Sequence, residues 1–398
     1  MKILEGAKMK TSVISLGAGA VCFLALQVFA GDSAFPSGAS GSPVPPKVRV
    51  LVAEDEKFFR LSVQGAYVIQ SLPSLQALKK GSGLENVPLT VTKKGLKLGD
   101  AEWPVSRLRI ETKGKRDLVL NHTRFRGEVE IVRANEHSLA AVNHVDLEDY
   151  LYGVLPHEVA FWWPMEALKA QAIAARTYAL YQMRVNHRNL FDLKSSTSSQ
   201  VYKGTRRERH RTNRAVDETR GRVLTYEGKI FPAYFHATCA GITTGAQELW
   251  KMEISPLGGG VRCGYCRISP HYYWKAAVPL SEIEEKLKLY RVPLGRILRI
   301  EPVSQTPSGR VGSLRFVGTL REDVIAAKDF RIWVGGNRIR STAFTVKVRE
   351  DAAQIDGKGW GHGVGLCQWG ALGQALAGRA HEDILRFYYP GAEIRDES

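Results

Sequence analysis

The segment Pro164–Met183 admits one local structure, and the rest of the chain has to fold around it. Its body, Met165 to Leu180, is built mostly from strong helix formers, among them six alanines from Ala167 to Ala179. Pro164 takes the first helical position behind Trp162-Trp163, and Glu166 places a negative charge in the first turn, where the helix dipole favours it. The alanines leave a small-residue surface that a neighbouring element can approach closely, interrupted by polar Gln171 and Arg176. On both sides of this helix the hydrophobic period changes from helical to twofold. Lys47–Asn143 contains short alternating runs such as Val48-Arg49-Val50-Leu51-Val52 and Leu108-Arg109-Ile110, separated by turn residues, the pattern of an antiparallel β-domain. Ser281–Val348 alternates again around the turn Pro307-Ser308-Gly309, opened by one helix over Ser281–Leu289. The expected class is therefore α+β, with β-rich lobes packed around a central helix and an antiparallel β-domain at the N-terminal side.

The N-terminus carries an address. Lys2, Lys8 and Lys10 precede a largely apolar run, Thr11–Ala30, which closes with compact Val28 and Ala30, the pattern of a secretory signal peptide over residues 1–30. If kept, the same run is long enough to anchor the chain in a membrane. Residues 31–46, rich in Gly, Ser and Pro, form a flexible linker. The expected order is then a β-domain over 47–145, a core in two parts (146–280 and 351–395), and an α+β lobe or insertion over 281–350. Lys and Arg number 56 against 40 Asp and Glu, a net charge of +16 that calls for an anionic partner. Export argues against nucleic acid and favours a polymer of the cell envelope, in the periplasm or outside the cell. The densest basic stretch, Arg206–Arg222, has a simpler reading as a solvated helix face.

Three segments in order narrow the field. The first is Leu147-Glu148-Asp149-Tyr150-Leu151-Tyr152-Gly153-Val154-Leu155-Pro156-His157-Glu158, running on into the alanine-rich helix. The second is Ser199-Gln200-Val201-Tyr202-Lys203-Gly204. The third is Gly359-Trp360-Gly361-His362-Gly363-Val364-Gly365-Leu366-Cys367-Gln368-Trp369-Gly370-Ala371, closed by Tyr388-Tyr389-Pro390-Gly391. Together they resemble the family of stage II sporulation protein D (SpoIID) and amidase enhancer (LytB), over nearly the whole chain from Val48 to Ile394. That resemblance implies action on peptidoglycan. In the sporulation members the implied activity is a lytic transglycosylase, which cuts between N-acetylmuramic acid and N-acetylglucosamine without adding water. In the other branch the name implies a wall-binding enhancer of an N-acetylmuramoyl-L-alanine amidase.

A lytic transglycosylase needs one acid, which protonates the leaving oxygen and then takes the proton of the muramic C6 hydroxyl as that oxygen attacks C1. Such an acid requires a raised pKa, and burial among aromatic side chains supplies it. Glu158 lies beside Tyr150, Tyr152, Phe161, Trp162 and Trp163, and it falls where the resemblance implies the family's catalytic glutamate. Arg176 offers a planar fork for the muramic lactyl carboxylate, or equally for a buried structural carboxylate. Gln200 and Tyr202 are expected sugar contacts, with a core aromatic as the other reading of Tyr202. His362, between Gly361 and Gly363, sits where backbone approaches a ligand closely, and Gln368 and Trp369 complete that wall. The glycine run lacks the Lys-Ser/Thr ending and preceding strand of a phosphate loop.

Four cysteines follow the N-terminal run: Cys239, Cys263, Cys266 and Cys367. The Cys263-Gly264-Tyr265-Cys266 spacing turns two thiolates toward one tetrahedral metal, with Cys239 and either Cys367 or His236 completing a structural zinc site. Outward disulfides are the competing reading in an exported chain, and free thiols a third. The resemblance implies Ser in many family members where Cys239 and Cys367 stand here. Two motif positions that depart together imply two positions that meet in space, and a metal there is structural rather than chemical.

Overall fold

A computed structural model describes residues 47–114, 118–196 and 199–397. The expected signal peptide and linker lie outside the described residues. Among the described residues no helix is long and apolar enough to cross a membrane.

The N-terminal alternation folds into an eleven-stranded sheet. Strand Phe58–Ser71 shows why: Phe59, Leu61, Val63 and Ile69 are buried at period two while Phe58, Arg60 and Gln64 face out. The first strand, Lys47–Glu56, pairs antiparallel with the last of the domain, Leu139–Asp146, and carries the short strand Leu193–Lys194 in parallel on its other edge. The end of Leu139–Asp146 leads directly into the first helix, so the sheet aims the motif segment that follows it.

Eight α-helices occur among the described residues: α1 (Leu147–Glu158), α2 (Met165–Val185), α3 (His210–Asp217), α4 (Ala246–Trp250), α5 (Leu280–Leu289), α6 (Ala327–Val334), α7 (Gln368–Leu376) and α8 (His381–Tyr388). In α1, Leu147, Tyr150, Leu151, Val154 and Leu155 bury the i, i+3, i+4, i+7, i+8 stripe of an amphipathic helix against the sheet. Helix α2 is the expected alanine-rich segment. It begins one residue later than the sequence suggests, at Met165 with Pro164 as its cap, and runs two residues further, to Val185. Residues Ala170 to Ala175 are all buried, because α1, α3, α7, α8 and strand Arg222–Tyr226 surround it. The small side chains permit that crowding. One side of α2 joins the core of the large sheet; Ala170, Ile173 and Ala174 join a second core with Leu366, Ile384, Leu385 and Tyr388.

Tyr273–Lys358 forms a lobe with its own apolar core, including Trp274, Ile283, Leu314, Phe316, Phe330 and Ile355. Its entering strand Tyr273–Pro279 pairs antiparallel with its leaving strand Ala352–Lys358, Tyr273 opposite Lys358, so the chain departs from and returns to one place. The strands Ile297–Gln305, Val311–Gly318 and Glu322–Ala326 form a meander inside it. The basic run spans α3 and its flanks. Arg206, Arg207, Arg209, Arg211, Arg214 and Arg220 are exposed, as a solvated face requires, and Arg222 turns inward to Glu382 at 3.0 Å.

Candidate functional site

Several separate stretches of chain meet at a cleft of about 350 Å³. Its walls come from the end of α1 and the top of α2 (Glu158, Tyr178), from the loop Ser199–Val201, from Tyr234–Ala237 and Trp250, and from the glycine-rich loop through Trp360, Gly361, His362 and Gln368. Arg331, on α6 of the inserted lobe, closes one side. The parallel pairing of Phe235-His236 with Leu366-Cys367 fixes two of these walls to each other.

Glu158 is the last residue of α1, where the helix's negative end disfavours a carboxylate. Burial pushes its pKa up, opposed in part by the Val201 N–H, which donates to Oε1 at 3.2 Å, and by the Gln368 side-chain amide. Gln368 in turn donates to the buried Gln171 Oε1 at 3.4 Å, so α2 steadies the amide that steadies the acid. Among the residues lining the cleft Glu158 is the only carboxylate. Of the expected aromatic surroundings, Tyr150 lies close enough to Glu158 to feel its charge, but none of the five lines the cleft. Phe161 and Trp162 are 46% and 61% exposed, and Trp163 packs edge-on against Trp369, with ring centroids 5.4 Å apart. The cleft is walled instead by Tyr178 and Tyr234 (5.7 Å between centroids), Trp250 against Tyr234 (4.6 Å), and His362 against Trp250 (5.3 Å).

His362 lines the cleft as a fixed neutral ring. Its Nδ1 accepts from the Val364 N–H at 3.1 Å and its Nε2–H donates to the Phe235 carbonyl at 3.0 Å. Burial and the nearby Arg331 push its pKa down to about 3. Neither nitrogen is left for acid–base work. Gly361, at φ +107°, is required here because a Cβ would sit 2.8 Å from the His236 side chain.

The remaining expected contacts lie elsewhere. Arg176 is 0% exposed and grips Glu148 with both prongs, Nε to Oε1 and Nη2 to Oε2, each at 2.8 Å. Its other donors reach the carbonyls of Arg222 and Val216 at 3.1 and 3.2 Å. It pins α1, α2 and the end of α3 together and presents no donor to the cleft. Gln200 is likewise fully buried, accepting from the Tyr150 hydroxyl at 2.9 Å and donating to the Ala175 carbonyl at 3.2 Å. Tyr202 is a core aromatic whose hydroxyl donates to Asn143 at 2.8 Å. Glu158, His362 and Gln368 share the cleft; Arg176, Gln200 and Tyr202 are the struts behind it.

Sequence reasoning passed over Arg331, Tyr178, Tyr234 and Trp250. Arg331 lines the same cleft as Glu158 and donates Nε–H to the Arg340 carbonyl at 3.1 Å, and burial, with the nearby Arg310 charge, lowers its pKa to about 10. Nothing in the pattern of α6 distinguishes it from a solvated helix position. Tyr178 was open to discovery, since it closes the same motif helix that Glu158 precedes.

Cys239, Cys263, Cys266 and Cys367 converge just behind this cleft. Their sulfurs all lie within 4.8 Å of one another, all four residues are buried, and none is bridged. His236 stands outside the cluster, with its Nδ1–H on the Val364 carbonyl at 3.1 Å.

Comparison with known proteins finds relatives over most of the chain. A family model described as stage II sporulation protein matches residues 135–226, and one for a domain of unknown function matches residues 266–365. An uncharacterized protein of Brachyspira hyodysenteriae is 33% identical over 352 residues, 88% of this chain and 93% of that protein. Stage II sporulation protein D of Bacillus amyloliquefaciens is 30% identical over 285 residues, 67% of this chain and 78% of that protein. The amidase enhancer of Bacillus subtilis is 27% identical over 288 residues, 61% of this chain but only 40% of that protein.

Proposed function

The chain belongs to the stage II sporulation protein D (SpoIID) and amidase-enhancer (LytB) family, and from that membership we propose that it is a lytic transglycosylase acting on peptidoglycan glycan strands in the cell envelope. The observation that carries this reading is the single carboxylate of the cleft, held half-buried with a raised pKa. A glycosidase working through a water or a glycosyl-enzyme intermediate generally needs two carboxylates across the scissile bond. A transglycosylase needs one, because the attacking hydroxyl belongs to the substrate.

In this mechanism protonated Glu158 gives its proton to the oxygen that links muramic C1 to the next sugar, and that C–O bond breaks. Positive charge develops at C1 and the ring oxygen, where the muramic N-acetyl group can share it. The Glu158 carboxylate then takes the proton of the C6 hydroxyl as its oxygen closes on C1. The products are a 1,6-anhydromuramic end and a free C4 hydroxyl, and Glu158 ends protonated for the next cycle. Burial keeps the acid protonated closer to neutrality, while the Val201 and Gln368 donors keep the intervening carboxylate tolerable. Tyr234 and Trp250 supply aromatic faces on which sugar rings stack, and Arg331 takes the part first expected of Arg176, pairing with the lactyl carboxylate.

The amidase-enhancer relative supports a second reading, a wall-binding module that stimulates a partner amidase without cutting glycan. The strongly basic composition suits attachment to an anionic wall in either case. The two separate on one experiment. Peptide-free glycan strands incubated with the purified protein should yield 1,6-anhydromuramic ends by mass spectrometry, and Glu158→Gln should yield none. Absence of products from the active chain, with a faster partner amidase, selects the enhancer.

A further inference from the structure

We infer that Cys239, Cys263, Cys266 and Cys367 form a tetrathiolate site for one zinc ion, and that buried Arg310 of the inserted lobe is its charge partner. The site stands apart from the glycan chemistry and does not depend on it.

The geometry fits the ion. A tetrahedron with Zn–S bonds of about 2.3 Å has sulfur–sulfur edges of about 3.8 Å. Cys239 Sγ and Cys266 Sγ lie 3.6 Å apart, and no pair in the cluster exceeds 4.8 Å. Disulfide sulfurs bond at about 2.0 Å, and none of the four is bridged. One donor points at sulfur as it would at a thiolate, the Cys239 N–H at Cys367 Sγ (3.3 Å), and the Tyr388 hydroxyl lies 3.1 Å from Cys263 Sγ, placed to donate to it once it is ionised.

Arg310 is the independent observation. It is 1% exposed, and its Nη2 donates to the Cys239 carbonyl at 2.7 Å, while Nε and Nη1 have no hydrogen-bond partner. A guanidinium buried with two donors unsatisfied needs negative charge nearby. Glu248 supplies one such charge at a distance without pairing with Nε or Nη1, and neutral thiols or disulfides add none. Four thiolates around Zn²⁺ add a net charge of −2. Gly363 makes room for this arginine: at φ +92° its Cβ would lie 2.7 Å from Nη2.

The placement says what the metal does. Cys239 follows the cleft strand Phe235-His236 by three residues and Cys367 immediately precedes Gln368, the residue that donates to Glu158. Cys263 and Cys266 bring in the chain just before the inserted lobe. One ion therefore staples two cleft walls and the root of the lobe, holding the Gln368 amide at the acid without touching substrate.

The test is the full chain purified from its native compartment. Elemental analysis and native mass spectrometry should find one zinc per chain, and cobalt substitution should give the charge-transfer and tetrahedral d–d bands of a tetrathiolate. Arg310→Met should release zinc to a chelator faster, by roughly 10–100-fold in apparent affinity, and Glu158→Gln should retain it fully. Cys266→Ser should lose the metal; if that variant does not fold, the wild-type spectra decide alone. A mass lower by two protons per bridge with no zinc, or four titratable thiols with no zinc, overturns the inference. Zinc retained unchanged in Arg310→Met removes Arg310 from it.

Discussion

Removing the carboxylate that faces Arg176 should destabilise the fold far more than it affects any ligand. In Glu148→Gln the guanidinium stays at zero exposure but loses the charge and one acceptor of its 2.8 Å fork, keeping one amide oxygen, the carbonyls of Val216 and Arg222 and the Thr219 hydroxyl. Breaking one side of a buried ion pair typically costs about 3–5 kcal/mol, because the remaining charge is left uncompensated. For a domain of this size that is a thermal midpoint lower by roughly 10 °C. Replacing the whole pair, as Glu148→Leu with Arg176→Met, should recover part of the loss. Recovery is incomplete because the carbonyls of Val216 and Arg222 forfeit their donors. Denaturant melts of the two single variants and the double variant form the cycle, and the coupling should exceed about 2 kcal/mol. A Glu148→Gln cost below about 1 kcal/mol, or an Arg176→Met variant of full stability that no longer binds glycan, would return Arg176 to the ligand and refute its role as a strut.

Two other outcomes follow from the cleft. Because burial raises the Glu158 pKa and the acid must start protonated, activity should be full below that raised value and fall as pH rises through it; Gln368→Leu, which removes a donor to the carboxylate, should move this limb of the pH–rate profile to higher pH. The same sign makes wild-type stability fall between the ordinary and the raised pKa, a slope that Glu158→Gln should abolish in melts across that range. Arg331→Gln should raise KM for glycan with free lactyl carboxylates by roughly tenfold or more while leaving kcat nearly unchanged, and should do little to a substrate whose lactyl groups are amidated.

The elements and the place of Glu158 at the cleft were legible in the sequence, and the contacts that depend on assembly were not. Helix α2 was legible because its composition leaves no alternative, and the large sheet because its apolar residues keep period two. The four cysteines were legible through a different logic, a local spacing joined to two motif positions. Arg176, Gln200 and Tyr202 were misplaced from the cleft because a motif marks residues that matter without saying which face they take. Each proved to satisfy a buried partner, a need visible only once α1, α2 and Asn143 are packed together. The aromatic wall was shifted in a similar way: Phe161 and Trp162 are neighbours of Glu158 in sequence, whereas Tyr234 and Trp250 are its neighbours in space. Arg331 arrives from a lobe whose pattern resembles any amphipathic surface, and only the return of the chain beside its own departure point brings α6 to the cleft.

The central claim is that Glu158 drives glycan cleavage without water, and its most direct test is the chemistry of the new ends. Purified protein should be incubated with peptide-free strands in water enriched in oxygen-18, and the products weighed. The account predicts 1,6-anhydromuramic ends carrying no heavy oxygen, formed by the wild type and absent with folded Glu158→Gln. Reducing ends labelled with oxygen-18 would show hydrolysis, and anhydro ends made at the wild-type rate by Glu158→Gln would show that another group is the acid; either result contradicts it.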